Sequence, residues 1–232
     1  MNRLFKLFSK IFKNSSAYAE SKEYTDFLEI AFSSGYSFTN EYGNECKYYS
    51  IGIGQLNILN GEIIACDPFL FYDEKPFLEK FPIGKFPVEL AIERQGGDER
   101  IGFARIKFYD TIPVKWEPAL IEGQKFENIS GDHYFGYPVD SGTGSFMDSS
   151  GMVEYSKKYD ENENYFFDEV IAQLNKTYKH TRSWLLWESN GKNVALFSSG
   201  LGDGMYETQI GFDINGNICR LVTDFGLIDL SN

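Results

Sequence analysis

Hydrophobic and polar residues alternate along several short segments of this 232-residue chain, and this period of two is the pattern of half-buried β-strands. The alternation is clearest in residues 100–109. The apolar face of that segment consists of Ala104, Ile106 and Phe108. Because Arg105 and Lys107 occupy the opposite face, we expect a half-buried antiparallel hairpin with residues 88–94 that leaves its charged face in solvent.

Turn-forming residues separate the other predicted strands. Asn60 and Gly61 favour a hairpin in which residues 62–66 return along residues 48–59. Two further hairpins are predicted around glycine-containing turns, with residues 183–188 against 193–198 and residues 206–213 against 217–224.

Helical spacing of apolar residues predicts helices over residues 24–33, 148–158 and 165–179, and a short basic helix within residues 1–14. Strand hairpins on both sides of a helical insertion are typical of an α+β fold. We therefore predict a single domain with a mainly antiparallel twisted sheet, N-terminal helices and a helical insertion around residues 148–179. The predicted division is an N-terminal helical segment, residues 1–46, and one α+β domain, residues 47–232.

The chain is acidic, with 34 Asp and Glu residues, 22 Lys and Arg residues and a net charge of −12. Residues 1–14 contain no acid and carry Arg3, Lys6, Lys10 and Lys13. Without these four cations, 18 basic residues stand against 34 acidic residues, a net charge of −16. Such a body repels nucleic-acid phosphates and attracts a basic protein. Ordinary solubility is the simpler reading of the same charge, and the sequence leaves both open.

The chemistry available to cysteine and histidine is limited. Cys46, Cys66 and Cys219 are odd in number and widely spaced, which is not a disulfide framework and favours reduced thiols in the cytoplasm. With only His133 and His180, a histidine-based zinc site is not expected.

No segment reaches the roughly 20 apolar residues of a membrane span. Residues 1–13 combine cations with apolar residues at helical spacing, so they suit either a helix docked on the body or a helix on a membrane surface. We favour the docked helix, because one short helix binds a membrane weakly.

Two glycine-rich turns carry the candidate chemistry. Residues 137–148 contain Asp140 and Asp148 among glycines and hydroxyl side chains, and residues 198–206 contain Asp203 between glycines. Glycine permits positive φ and close backbone approach, so we expect two tight turns that meet. Three carboxylates brought together suit a divalent cation such as calcium or magnesium. In the alternative reading, each Asp bonds the backbone of its own turn.

Other catalytic readings fit less well. Residues 139–143 resemble the Asp-Ser-Gly turn of aspartic proteases, but those enzymes need a second such carboxylate, and no hydroxyl residue follows Asp203. Ser141 or Ser145 with His133 would suit nucleophilic catalysis, but the chain has no Gly-x-Ser-x-Gly elbow.

Four longer segments are distinctive. They are Gly-Glu-Ile-Ile-Ala-Cys-Asp-Pro at residues 61–68, Phe-Pro-x-Gly-x-Phe-Pro-Val-x-Leu-Ala at residues 81–91, residues 137–148, and the glycine- and aspartate-rich run at residues 202–225. Together they resemble an uncharacterised bacterial family catalogued as domain of unknown function 4241, over residues 47–230. The resemblance implies one domain in a bacterial cytoplasm, and it implies no catalytic residue.

Small acidic bacterial proteins of this kind are often immunity proteins, which bind and block a toxin. That analogy agrees with the acidic body, because many toxins that attack nucleic acid are basic. Our leading hypothesis is a non-enzymatic protein-binding protein, an immunity protein that neutralises a basic toxin. The alternative is a metal-dependent hydrolase that uses Asp140, Asp148 and Asp203 with a divalent cation.

Overall fold

The computed structural model of the chain describes residues 22–40, 42–70, 74–125, 135–162 and 164–228. The basic helix predicted within residues 1–14, its membrane-surface alternative and His133 lie outside this described part.

The described residues are mostly antiparallel β-structure with few helices. In chain order the strands are β1 Ser37–Thr39, β2 Glu45–Ile58, β3 Ile63–Cys66, β4 Gly84–Gln95, β5 Asp98–Lys107, β6 Lys115–Pro118, β7 Tyr137–Val139, β8 Thr143–Asp148, β9 Trp184–Ser189, β10 Lys192–Ser198, β11 Gly204–Phe212 and β12 Ile218–Asp224. They form two sheets rather than the single sheet predicted. The larger has the order β1-β2-β4-β5-β12-β11-β6, with β7 also paired to β11, and the smaller has the order β3-β8-β10-β9.

Three of the four predicted hairpins are confirmed: β4 with β5, β9 with β10, and β11 with β12. The hairpin predicted at Asn60 and Gly61 is wrong, because β3 pairs with β8 and not with β2. All four residues of β3 are buried. Near the turn, one edge of β2 is paired with β4, and the other edge bonds Asn193 of β10 through Asn57 N and Gln55 O. The turn therefore carries the chain from one sheet to the other.

Helices α1 Lys22–Ile30 and α2 Ser149–Glu161 confirm the helices predicted over residues 24–33 and 148–158. The third predicted helix, residues 165–179, is shorter and irregular. It consists of a π-helix, Phe166–Ile171, and one further turn, α3 Ala172–Leu174. None of the helices in the described ranges is long and apolar enough to cross a membrane.

The third helix is shorter than predicted because the chain turns back to the smaller sheet at Thr177, whose side chain bonds the backbone of β9. Thr177 Oγ1 accepts a hydrogen bond from Trp184 N at 2.8 Å and donates one to Trp184 O at 2.6 Å, at the start of β9. The sequence predicts one apolar stripe on this helix, formed by Phe166, Phe167, Val170, Ile171 and Leu174. Phe166, Val170 and Leu174 are buried, but the prediction is wrong at Phe167, which is exposed.

The sheets pack face to face, and helices cover their outer faces. The core between the sheets includes Leu56, Leu90, Ile106 and Leu221 from the larger sheet and Ile63, Phe146 and Phe197 from the smaller. Helix α1 packs on the outer face of the larger sheet, where the Phe27 ring lies 5.7 Å from the Tyr48 ring. Tyr155 and Phe166 pack on the outer face of the smaller sheet. The result is four layers, in which strands such as β3, β8, β10 and β12 are buried on both faces.

The prediction that Arg105 on β5 faces solvent is wrong, because helix α1 covers it. That side chain lies under α1 with its guanidinium carbon 3.9 Å from the Phe32 ring centroid, and the residue is only 8% exposed. It donates to Glu89 Oε2 at 2.6 Å and to Glu29 Oε1 at 3.3 Å. The described part of the 1–46 segment thus packs directly on the larger sheet.

A carboxylate at the end of β12 is covered by the same helix. Asp224 lies directly opposite Glu207 on β11. Burial raises the pKa of Asp224 to about 6, although hydrogen bonds from Gly226 N and the Tyr24 hydroxyl of α1 favour its charged form. Because the folded state binds this proton more tightly than the unfolded chain, the group destabilises the fold once it is ionised.

We therefore expect Asp224→Asn to change how stability depends on pH. In the native protein, the contribution of Asp224 is fully present below pH 3.8 and is lost as the pH rises through about 6. The variant has no carboxylate at this position and cannot lose this contribution. From pH 4 to pH 7, its free energy of unfolding relative to that of the native protein should therefore rise by about 2 kcal/mol. Urea unfolding at both pH values measures this difference. Tyr24→Phe removes a hydrogen bond to the charged form of Asp224, so this variant should lose more stability than the native protein as Asp224 ionises. Parallel pH profiles for the native protein and Asp224→Asn would refute the raised pKa of Asp224.

Candidate functional site

The two glycine-rich turns lie side by side at one end of the sheets. Val139, just before the first turn, pairs with Gly204, at the end of the second. Ser199 N donates to Gly142 O at 3.1 Å, and a Cβ built on Gly142 would lie 3.7 Å from Gly202 Cα. Asp140 and Asp203 therefore occupy neighbouring turns, and both are exposed.

The first turn is held by a carboxylate that is not among the candidate site residues predicted from the sequence. Asp67, 1% exposed at the end of β3, accepts hydrogen bonds from Asp140 N at 3.0 Å, Ser141 N at 2.8 Å and the Ser141 hydroxyl at 2.7 Å. It also accepts one from Phe69 N at 2.9 Å. Four donors surround this one carboxylate, so it fixes the turn.

Two local signals point to Asp67. It ends a predicted strand immediately before Pro68, and Asp in that position commonly bonds the backbone two residues later. The contact with Ser141 has no local signal, because the two residues are 74 positions apart.

The second turn is closed by its own atoms. Ser199 Oγ and the Tyr206 hydroxyl donate to Gly202 O at 2.8 Å and 2.7 Å, and Gly202 N donates to Ser199 O at 2.7 Å. Gly200 has a φ of +50°, and a Cβ there would lie 2.8 Å from Phe225 O, so this position requires glycine. The tight turn thus allows the backbone at Gly200 to pack closely against Phe225.

The third candidate carboxylate lies elsewhere. Asp148 is at the far end of β8 from the turns, roughly 17 Å along the strand at about 3.4 Å per residue. It is fully buried and caps α2, accepting from Ser150 N at 3.0 Å, Leu59 N at 3.1 Å and Asn60 N at 3.2 Å.

Asp140, Asp148 and Asp203 therefore do not form one cluster. In residues 22–40, 42–70, 74–125, 135–162 and 164–228, no group of three or more His, Cys, Asp or Glu side chains is arranged to hold a metal ion. Asp148 bonds Ser150 N in its own turn, as in the alternative reading, and it also bonds Leu59 N and Asn60 N in a turn that is distant in the sequence.

The cysteines are also structural. Cys46, Cys66 and Cys219 are buried and free. Burial raises the pKa of the thiols of all three. Because the thiolate is the reactive form, these are not activated nucleophiles.

A second polar cluster surrounds Glu99, which is 2% exposed near the same end of the sheets. Its carboxylate accepts from Arg94 Nε at 2.9 Å, Arg182 Nε at 2.9 Å and the Tyr49 hydroxyl at 2.9 Å, with His180 Nε2 at 3.9 Å. Burial disfavours the charge, but the hydrogen bonds from Arg94, Tyr49 and Arg182 outweigh it and lower the pKa of Glu99 to about 2. The cluster ties the β4–β5 hairpin to β2 and to the start of β9.

The turn held by Asp67 yields one stability prediction. Asp67→Ala leaves two backbone N–H groups of the first turn without their buried acceptor, so it should lower the free energy of unfolding by roughly 3 kcal/mol. Asp140→Ala, in the same turn but exposed, should cost less than about 1 kcal/mol. Urea unfolding at pH 7 compares the two variants, and equal losses would contradict the role assigned to Asp67.

We expect the Glu99 cluster to stabilise the fold at neutral pH and to lose this effect in acid. Its stabilisation is fully present above the ordinary pKa of 4.5 and is lost as the pH falls through about 2. Glu99→Gln should lower the free energy of unfolding by about 3 kcal/mol at pH 7, because buried Arg182 loses its counter-charge, and should flatten the decline between pH 5 and pH 2. Glu122→Gln, which breaks an exposed pair with Lys75, should cost less than about 1 kcal/mol. An unchanged acid limb in Glu99→Gln would show that Glu99 does not control acid unfolding.

Comparison with known proteins places the whole arrangement in one family. The model of a family described as "protein of unknown function (DUF4241)" matches residues 56–223, which include both turns, Asp67 and Glu99. No curated protein and no solved structure matches the chain. The match covers well over half of the 232 residues. The chain therefore belongs to the DUF4241 family.

Proposed function

We propose that this chain is a non-enzymatic protein that binds a basic protein partner, and that the partner is a toxin which it neutralises as an immunity protein in the cytoplasm. The proposal rests on one surface, the acidic helical face, at the end of α2 and on the π-helix. It consists of the solvent-exposed residues Tyr159, Asp160, Glu161, Phe167, Asp168 and Glu169.

Phe167 is the apolar centre of the acidic helical face. Its side chain is 72% exposed, although its neighbour Phe166 is buried. The Phe166 ring stacks on Tyr155 at 4.7 Å and on Tyr159 at 5.1 Å, which fixes the backbone below Phe167. A large side chain on a rigid base is the kind of group that dominates binding energy in protein interfaces.

The carboxylates beside Phe167 are available to a cationic partner. Asp160, Asp168 and Glu169 are exposed, and within the described residues none of them forms a salt bridge. Glu161 is the exception, since it pairs with Lys157 at 3.7 Å and Lys158 at 3.1 Å. Negative charge around an exposed aromatic ring suits a basic partner that buries an apolar contact at its centre.

Two further observations support binding over catalysis. The net charge of −12 extends the attraction for cations beyond this face. Asp148 caps a helix and Asp67 fixes a turn, so these buried carboxylates already have structural roles.

The proposal is tested with the products of genes that neighbour this one. A basic product that stops growth when expressed alone should be neutralised by co-expression of the full chain. In the purified pair, Phe167→Ala should weaken affinity about 30-fold, the equivalent of about 2 kcal/mol at an interface centre. Asp168→Lys with Glu169→Lys should slow association at least about tenfold at low salt, and the difference should shrink as salt is raised.

Matched variants separate this face from general charge. Asp110→Lys with Glu122→Lys makes the same change of charge at two exposed positions away from the helices and should have a smaller effect. Val153→Ala, at an exposed apolar residue of α2 outside the face, controls for Phe167→Ala. Equal effects of the two charge reversals would refute the acidic helical face, and the lack of any neutralised neighbour would refute the immunity function.

A further inference from the structure

Strand β2 has an edge that is only partly paired. Its partner β1 covers Glu45 to Lys47, and Tyr48 is bonded to the chain just before β1, with Tyr48 N donating to Tyr36 O at 2.8 Å. In an antiparallel sheet, successive residues bond to alternate sides of a strand. Ser50 and Gly52 therefore direct their backbone N–H and C=O groups away from β4. Across the described residues, these outward groups meet no protein partner.

The other end of this edge shows what a partner there would do. Asn193 reaches across from β10, donating from Nδ2 to Gln55 O at 2.8 Å and accepting from Asn57 N at 2.8 Å. One side-chain amide thus makes the bonds that a neighbouring strand would make. A register shift between Gly52 and Gly54 brings Gln55 and Asn57 to the outer side. The open edge of β2 is the stretch from Ser50 to Gly52 between these two paired regions.

The open edge is accessible and has apolar surface beside it. Gly52 is exposed, and a Cβ built there would have no heavy atom within 4 Å. Ile51 and Ile53 are half-buried on the face that looks towards the smaller sheet, where they pack on the main core. Side chains of an added strand would extend that apolar surface.

A cationic cleft adjoins the open edge. It has a volume of about 330 Å³ and is lined by Gly35, Lys47, Tyr48, Tyr49 and Arg94. Lys47 and Arg94 are directly opposite each other on β2 and β4, so two positive charges lie side by side in this cleft. Lys47 pairs with exposed Glu45 at 3.1 Å, and Arg94 uses Nε and one terminal nitrogen on Glu99. Both cations keep further N–H donors.

We propose that the open edge of β2 binds an extended peptide segment as an added strand, with a carboxylate of that segment in the cationic cleft. Backbone bonds to Ser50 and Gly52 supply affinity, and Lys47 and Arg94 select the carboxylate. The carboxylate is either the C terminus of the peptide or an Asp or Glu side chain. This site is distinct from the acidic helical face and does not depend on the proposed function.

The test uses a library of random heptapeptides displayed with free C termini and selected on the full chain. The best selected peptide is then synthesised with a C-terminal carboxylate, with a C-terminal amide, and with Asn or Gln in place of its acidic side chains. We expect Lys47→Glu to weaken binding at least tenfold, and Lys85→Glu, exposed at the far end of the same strand pair, to change it less than twofold. Amide exchange at Ser50 and Gly52 should slow on binding.

The peptide forms distinguish the two carboxylate sources. Loss of binding with the C-terminal amide assigns the cleft to a chain terminus, and loss with the neutral side chains assigns it to an acidic residue. Binding that survives both changes, or that leaves amide exchange at Ser50 and Gly52 unaltered, overturns the proposal. So does a selection that enriches no peptide on the native chain over Ser50→Pro, which removes the outward N–H. If Ser50→Pro does not fold, Lys47→Glu, which keeps the backbone intact, takes its place in the selection.

Discussion

Hydrogen bonds between buried side chains and the backbone of the turns and strand ends join the two sheets, and the rest of the fold depends on them. Three buried side chains make these bonds. Asp148 accepts from the turn that leaves β2, Asp67 accepts from the turn that enters β8, and Asn193 bonds both a carbonyl and an N–H of β2. Each joins segments more than 70 positions apart in the chain, so each bond closes a long loop of the fold.

This use of carboxylates divides the acidic residues into two groups. Those buried at the sheet junctions, Asp67 and Asp148, already accept several protein donors and have little capacity for a ligand. Those on the outer helices, such as Asp168 and Glu169, are solvated and lie beside exposed Phe167. Burial requires hydrogen-bond partners for the first group, whereas exposure leaves the charge of the second group available.

Folding shifts the pKa values of two carboxylates, Glu99 and Asp224, in opposite directions. Glu99 is buried among two guanidinium groups and a hydroxyl, which stabilise its charge and lower its pKa. Asp224 accepts hydrogen bonds from Gly226 N and the Tyr24 hydroxyl, but desolvation outweighs these two bonds and its pKa rises. The balance between desolvation of the carboxylate and the hydrogen bonds donated to it decides whether its pKa rises or falls.

Local sequence patterns determined much of the secondary structure. Period-two alternation and glycine turns located three hairpins, and apolar spacing located α1 and α2, because these depend on contacts between residues close in the chain. The family motifs and the meeting of the two glycine-rich turns were also foreseen. The sequence alone did not show that β3 joins a second sheet, that α1 covers Arg105, or that Asp67 rather than Asp140 holds the first turn. Only the tertiary structure decided these points, because each depends on residues separated by tens of positions, such as Asp67 and Ser141, whose pairing leaves no local pattern.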